Sequence, residues 1–369
     1  MGLRLLVQPV DSVVPLVQAI DGARKSVELV IFRLDRQEIE LALQNAVNRG
    51  VFVHALIART NRGGEDGLRR LEFRLLDSGI TVARTAGDLI RYHDKLLIVD
   101  RSILYLLAFN FTYVDIERSR SFGIVTKDQR IVQEAVKLFE ADVKRRNYAA
   151  ALPTFLVSPV NARRQLSNFI KGARKELLIY DPRITDRSMV RLLQEKKHAG
   201  VDIGIIGRVT QRATGLSARK LNDLRLHART IIRDRSQAFI GSQSLRQVEL
   251  DSRREAGIIV RNPRIVGRLV RIFEEDWAGA QERIPPQDEP VPMRRTVKKV
   301  TDVIAKGLPP ITPVLKEAFR KVIGNGQAVE LDADEVEEAV KHAVREAVRE
   351  IVKDVVEDAV DGNGHRPIH

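Results

Sequence analysis

His93-Asp-Lys95-Leu-Leu-Ile-Val-Asp100 is matched later in the chain by His227-Ala-Arg229-Thr-Ile-Ile-Arg-Asp234: a histidine, a basic residue two positions on, and an aspartate five beyond that. On an extended strand, residues two apart point to the same face, so each histidine is expected to stand beside a cation. The intervening residues, rich in Leu, Ile and Val, read as a buried strand that the acid closes.

The match extends well past these segments. From His93 onward, adding 134 carries Asp100 onto Asp234, Gly123 onto Gly257, Arg130-Ile131-Val132 onto Arg264-Ile265-Val266, and Phe139 with Asp142 onto Phe273 with Asp276, without a gap. Upstream the offset is 150, taking Gly22-Ala23-Arg24-Lys25 onto Gly172-Ala173-Arg174-Lys175 and Gly50-Val51 onto Gly200-Val201, so the second copy is 16 residues shorter before its histidine. Two copies in one chain are expected to pack about a pseudo-twofold axis, which would bring His93 near His227.

In its paired motifs the chain resembles the phospholipase D superfamily, whose members carry two His-x-Lys-x4-Asp motifs in facing repeats. The resemblance covers roughly residues 3–280. It implies an α/β fold of two phospholipase D-like α-β-α repeats about a pseudo-twofold axis, with phosphodiesterase or phosphatidyltransferase chemistry of the cardiolipin synthase and phospholipase D kind. It also implies a Gly-Ser-x-Asn segment after each motif, seen here as Leu107-Ala108-Phe109-Asn110 and Gly241-Ser242-Gln243-Ser244. A further acid expected downstream, to orient the motif histidine, stands here as Ser121 and Glu255. On this basis His227 keeps its carboxylate partner in Glu255, and His93 has lost its own. Family order favours His93 as nucleophile and His227 as acid, whereas Glu255 favours His227, so the roles stay open.

The chemistry also follows from the side chains. An imidazole can attack a phosphodiester phosphorus to form a phosphohistidine. A second imidazole can protonate the leaving oxygen, then take a proton from water or an alcohol. Lys95, Asn110, Arg229, Ser242 and Ser244 are the candidate donors to the phosphoryl oxygens. Arg229 in place of lysine keeps the charge but widens the donor. Asp100 and Asp234 join the candidate catalytic set, although a strand-end aspartate capping a turn fits them equally. This scheme calls for no cofactor, and His54, His198, His342, His365 and His369 show no metal-ligand spacing.

Composition limits the rest. A chain of 369 residues with 44% hydrophobic content can bury a substantial core, and with no cysteine it can form neither disulfides nor thiolate metal sites. No apolar run is long enough to span a bilayer and no secretory signal is evident, so a cytoplasmic protein, free or peripheral on a membrane, is expected. The net charge of +13 favours polyanionic partners, either anionic lipid surfaces or nucleic acid. Residues 296–369 hold eleven Lys and Arg against fourteen Asp and Glu, so the repeat region carries the positive charge. Within it, Arg118-Ser-Arg120 and Arg253-Arg254 are expected to line the entrance to the site.

The pattern predicts strands over residues 3–7, 27–32 and 51–57, helices over 14–23 and 37–48, then a Gly-rich turn at 62–67 leading into a helix over 68–76. The domain reading is a first repeat over 1–150, a second over 151–284, a Pro-rich linker over 285–295 and a helical extension over 296–369. In the extension Val336, Val340, Val344, Val348, Val352, Val356 and Val360 recur every four residues, a row that winds round a helix and suits self-association or packing on the core. Three functions fit: an enzyme acting on phospholipid, which the charge and motifs favour; a nuclease of the same mechanism, weakened by only 5% aromatic residues; and a phosphate-binding protein whose lost donors have silenced catalysis.

Overall fold

A computed structural model describes residues 2–59, 64–210 and 213–282, all within one unit, Met1–Pro285. The expected linker and helical extension lie outside the described residues. In the first repeat, β1 (Arg4–Gln8), α1 (Val14–Asp21), β2 (Ser26–Ile31), α2 (Gln37–Asn48), β3 (Phe52–Ile57), α3 (Gly64–Asp77) and β4 (Thr81–Arg84) lead to β5 (Arg91–Tyr92), β6 (Leu96–Val99), β7 (Ile103–Leu107), α4 (Tyr113–Glu117), β8 (Ser119–Thr126) and α5 (Gln129–Val143). The second comprises β9 (Phe155–Ser158), α6 (Ala162–Lys171), β10 (Glu176–Ile184), α7 (Arg187–His198), β11 (Asp202–Val209), β12 (Arg219–Lys220), β13 (Arg225–Leu226), β14 (Thr230–Arg233), β15 (Gln237–Gly241), α8 (Gln247–Asp251), β16 (Arg253–Val260), α9 (Pro263–Gly279) and β17 (Gln281–Glu282).

The strands form two mixed sheets, ordered β1-β8-β7-β6-β2-β3-β4 and β17-β12-β11-β10-β14-β15-β16-β5. β6 lies inside the first sheet and all four of its residues are buried, which explains its unbroken apolar run. One core cluster joins residues of both sheets with the apolar faces of α5 and α9, including Leu96, Phe139, Ile232 and Phe273. Two further cores lie one in each repeat, the first around Leu16, Leu43 and Leu71, the second around Leu166, Leu193 and Phe239. At about 1.5–3 kcal/mol for each fully buried large apolar side chain, the shared core binds the repeats into one folding unit. Helix α3 begins earlier than the sequence suggested, with Gly64 and Gly67 inside it. Leu68, Leu71 and Leu75 pack into the core, and that burial outweighs the roughly 1 kcal/mol cost of a helical glycine.

The repeats exchange strands. β5 of the first pairs with β16 of the second, Arg91 opposite Arg253 and Tyr92 opposite Arg254. β13 of the second pairs with β8 of the first, Arg225 opposite Ser119 and Leu226 opposite Arg120. The registers are related by the internal offset, so the pseudo-twofold axis runs through this exchange. Ion pairs repeat the symmetry: Arg120 donates to Asp276 (2.8 and 2.9 Å), and Arg254 to Asp142 (2.9 Å). These arginines therefore clamp the repeats together, and with Arg253 also buried and bonded to Glu249 (3.3 Å), only Arg118 of the expected entrance residues is exposed.

Candidate active site

Each motif histidine follows the strand that its repeat lends to the other. The His93 N–H donates to Arg254 O (2.7 Å) and the His227 N–H to Arg120 O (3.1 Å), so the opposite repeat fixes both backbones. Both side chains lie almost wholly buried beside the pseudo-twofold axis, His93 at 7% and His227 at 6% exposure.

Glu255 partners His93. His93 Nδ1 donates to Glu255 Oε1 and Oε2, each at 3.0 Å. This corrects the expectation that Glu255 serves His227: the strand exchange carries the β16 carboxylate across the axis to the other repeat's imidazole. On the far side of the ring, Lys95 Nζ donates to His93 Nε2 (2.9 Å) and to His93 O (2.5 Å). With the Glu255 carboxylate accepting at Nδ1 and Lys95 donating at Nε2, Nδ1 carries the proton and Nε2 the lone pair, the tautomer a nucleophile needs. Phe32 meets the ring edge-on at 4.6 Å.

His227 has a different carboxylate. The position equivalent to Glu255 is Ser121, but Asp115 lies 3.5 Å from His227 Nδ1. Asp115 is held by Arg225 (2.7 Å) and by the backbone N–H and side-chain amide of Asn110 (2.8 and 2.6 Å). It sits on α4, whose Thr112 caps the N-terminus by accepting from the Asp115 N–H. Its repeat equivalent, Glu249, accepts from the Ser244 N–H (2.7 Å) and lies 3.6 Å from Arg229 Nε. Sequence reasoning missed both acids. Their signal was the matched acid five residues after Asn110 and after Ser244.

Electrostatics divide the groups. Burial and the nearby Lys95, Arg229 and Arg253 cations hold His93 well below the usual imidazole range, so it is neutral at pH 7. Burial also pushes His227 down, opposed by Asp115. Burial would raise Asp115, but His227, Arg225 and its backbone bond to Asn110 outweigh it and keep the carboxyl ionised. Burial raises Glu255, with Lys95, Arg253 and Arg229 opposing. Burial, with Arg229 nearby, brings Lys95 down to about 7.

The remaining candidates fall into two groups. Lys95 and Arg229 are equivalent, Arg229 Nη1 donating to His227 O at 3.1 Å as Lys95 does to His93 O. Asn110 lies at the site with its Oδ1 buried and without a hydrogen-bond partner among the described residues. Ser242 bonds the backbone N–H and C=O of Ala256, and the Ser244 hydroxyl donates to Asp181 and Arg183 O, so neither hydroxyl is a free phosphate donor. Asp100 and Asp234 stand at the far ends of β6 and β14 from the histidines. Asp100 accepts from the N–H groups of Arg24, Lys25 and Ser26, and Asp234 from those of Arg174, Lys175 and Glu176. Both adopt positive φ, 52° and 50°, at the start of a hairpin turn. Their placement in the catalytic set is corrected: the bonds lock a loop to a turn. The described residues contain no cluster suited to a metal ion.

A family model described as cardiolipin synthase, PLD-like domain, matches residues 16–143 and 166–277. The chain belongs to this phospholipase D-like family. Among curated proteins it is similar to a mitochondrial cardiolipin hydrolase of Danio rerio, 28% identical over 133 residues, covering 34% of this chain and 56% of the relative. It is also similar to a phospholipase D of Rickettsia typhi, 30% identical over 120 residues, covering 32% and 56%. The chain thus spans 56% of the length of each. Of solved structures, a polyphosphate kinase from Porphyromonas gingivalis superposes with TM-score 0.64 at 19% identity, covering 82% of this chain and 53% of that one. Phosphatidylserine synthase of Haemophilus influenzae Rd KW20 gives 0.60 at 12% identity, covering 82% and 93%. At these identities the likeness is one of fold.

Proposed function

We propose that the chain hydrolyses or transfers a phospholipid phosphodiester through a phosphohistidine on His93. The observation that carries this reading is the pair of buried imidazoles across the axis, each with a carboxylate behind Nδ1 and a cation beside it. His93 Nε2 attacks phosphorus while the P–O bond to the leaving alcohol breaks. His227, which takes up a proton beside ionised Asp115 as the anionic phosphodiester enters, gives that oxygen its proton. Neutral His227 then takes a proton from water or an acceptor alcohol, whose oxygen displaces His93 from phosphorus. Lys95, Arg229 and the Asn110 amide hold the phosphoryl oxygens as charge builds on them. The catalytic set is therefore His93, Lys95, Asn110, His227 and Arg229, with Glu255 and Asp115 as positioning residues. The names of the curated relatives support lipid over nucleic acid as substrate, and the positive charge of the repeat region suits an anionic membrane surface.

The test is turnover of labelled phosphatidylglycerol and phosphatidylcholine vesicles, beside single- and double-stranded DNA, by the full chain, His93→Ala and His227→Ala. Lipid turnover lost in both variants, with acid-labile label trapped on His227→Ala and not on His93→Ala, is expected. Cleavage of DNA alone would make the protein a nuclease. Silence on every substrate would leave a phosphate-binding protein.

A further inference from the structure

The first repeat carries an arginine cluster outside the two-histidine centre. Among the described residues, Arg59, Arg69, Arg84 and Arg145 line a cavity of about 470 Å³ with one acid, Glu72. Glu72 is engaged by Arg84 at 2.6 Å. Arg59 and Arg145 form no ion pair among the described residues, so the described lining carries an excess of positive charge. Local structure places Arg59 there: its N–H donates to Thr85 Oγ1 (2.9 Å), and a Cβ on Gly87 would lie 2.1 Å from its Nη1. Glycine at 87 lets the guanidinium lie against the backbone.

This feature is one-sided. The repeat offsets put Val209 where the first copy has Arg59, and Gly279 where it has Arg145. It also extends toward the strand that precedes His93. A second cavity of about 260 Å³ shares Arg59 and Gly87 and runs to Arg91 and Tyr92, just before His93. The Arg91 guanidinium lies 5.5 Å from the Phe32 ring centre, and the same ring is also approached by His93 (4.6 Å) and Lys95 (5.7 Å). Phe32 follows β2, Arg59 follows β3 and Thr85 follows β4, all at the carboxyl ends of parallel strands, where open α/β sheets bind ligands. β3 is two strands from β6, so roughly 10 Å in the sheet separates the end of β3 from β6, which begins just after Lys95.

We propose that the arginine cavity is a second phosphate-binding subsite, taking a phosphate group of the substrate other than the one attacked. The inference rests on the phosphodiester reading above and adds to it: the substrate carries two phosphates, and the asymmetry of the repeats sets the side on which the second one lies. Two guanidinium groups without carboxylate partners among the described residues suit a phosphate monoester, whose oxygens take charge-assisted, paired N–H donors.

Inorganic phosphate titrated calorimetrically into the full chain at fixed ionic strength tests the subsite independently of turnover. Lys95→Ala is expected to retain a phosphate site, while the double variant Arg59→Ala/Arg145→Ala weakens that site by about tenfold or more, the scale of one lost charge-assisted contact. Gly87→Ala, which removes no charge, is expected to weaken it too by displacing Arg59. Unchanged affinity in the double variant, or affinity lost only with Lys95→Ala, overturns the proposal. A second arm identifies the source of the phosphate: vesicles of a glycerophospholipid whose headgroup ends in a phosphate monoester, against the same lipid without it. A higher kcat/KM for the phosphorylated lipid, lost in the double variant, supports a substrate phosphate. Equal turnover of both, altered alike by free phosphate through these arginines, refutes it in favour of a free anion. If neither lipid turns over, the lipid reading fails and the calorimetric arm still decides the subsite.

Discussion

Glu255→Gln changes one atom and tests the crossing of the two repeats at the chemistry. The carboxylate is fully buried, with both oxygens 3.0 Å from His93 Nδ1. Hydrogen bonds to charged groups contribute about 1.5–3 kcal/mol, and each 1.36 kcal/mol is tenfold in rate, so losing this stabilisation of the charged imidazole costs roughly 10- to 150-fold in kcat. A glutamine can also turn its amide N–H toward Nδ1, moving the ring proton to Nε2 and blocking attack, which pushes the loss to the upper end of that range. Single-turnover kinetics on labelled lipid measures the rate, and imidazole nitrogen NMR measures the tautomer. The His93 nitrogens are expected to shift while those of His227 stay in place. An unchanged kcat, or a shift confined to His227, would refute the cross-repeat pairing.

Asp115→Asn is the converse experiment: it is expected to perturb the His227 nitrogens alone and to lower kcat by about 10- to 100-fold, less than an ideally placed general-acid partner because the pair is 3.5 Å apart; an unaltered pH–rate profile would remove Asp115 from the site. Asp94 is buried with neither carboxylate oxygen hydrogen-bonded, and burial with Asp142 nearby raises it to about 8. The folded state therefore holds this proton above the ordinary value of 3.8, and stability is lost as pH rises from there through about 8. Asp94→Asn should remove that decline, so its Tm advantage should be larger at high pH than at low, and a pH-independent difference would count against it. Asp100→Ala gives up bonds to three backbone N–H groups, and a loss of about 2–4 kcal/mol in denaturant unfolding is expected with kcat little changed; a loss of kcat without destabilisation would return Asp100 to the chemistry.

The sequence made the two-repeat architecture legible because apolar strands and matched glycines recur at fixed offsets. Gly257 shows why: a Cβ there would lie 2.4 Å from the Phe239 ring, so close packing dictates the residue. The histidine–cation pairs were legible for a related reason: each sits two residues apart in the extended segment leading into a buried strand, so the two side chains can share a face. The partners of the histidines were not. Glu255 stands in the same repeat as His227, and only the strand exchange, made by two-residue strands with no hydrophobic signature, sends it to His93. Asp115 escaped notice because a short α4 turns it inward, six positions before the residue where an acid was expected. Asp100 drew attention as part of a motif, yet its place is explained by turn geometry.

The strand exchange separates a residue's address along the chain from its address in the chemistry. Replacement of the acid at Ser121 in the first half weakens the support of an imidazole in the second, and the acid kept at Glu255 in the second half serves the first. A fragment holding either half alone would carry its own histidine motif and lack the carboxylate that makes its histidine useful. Two such fragments mixed together would have to find each other before either could work.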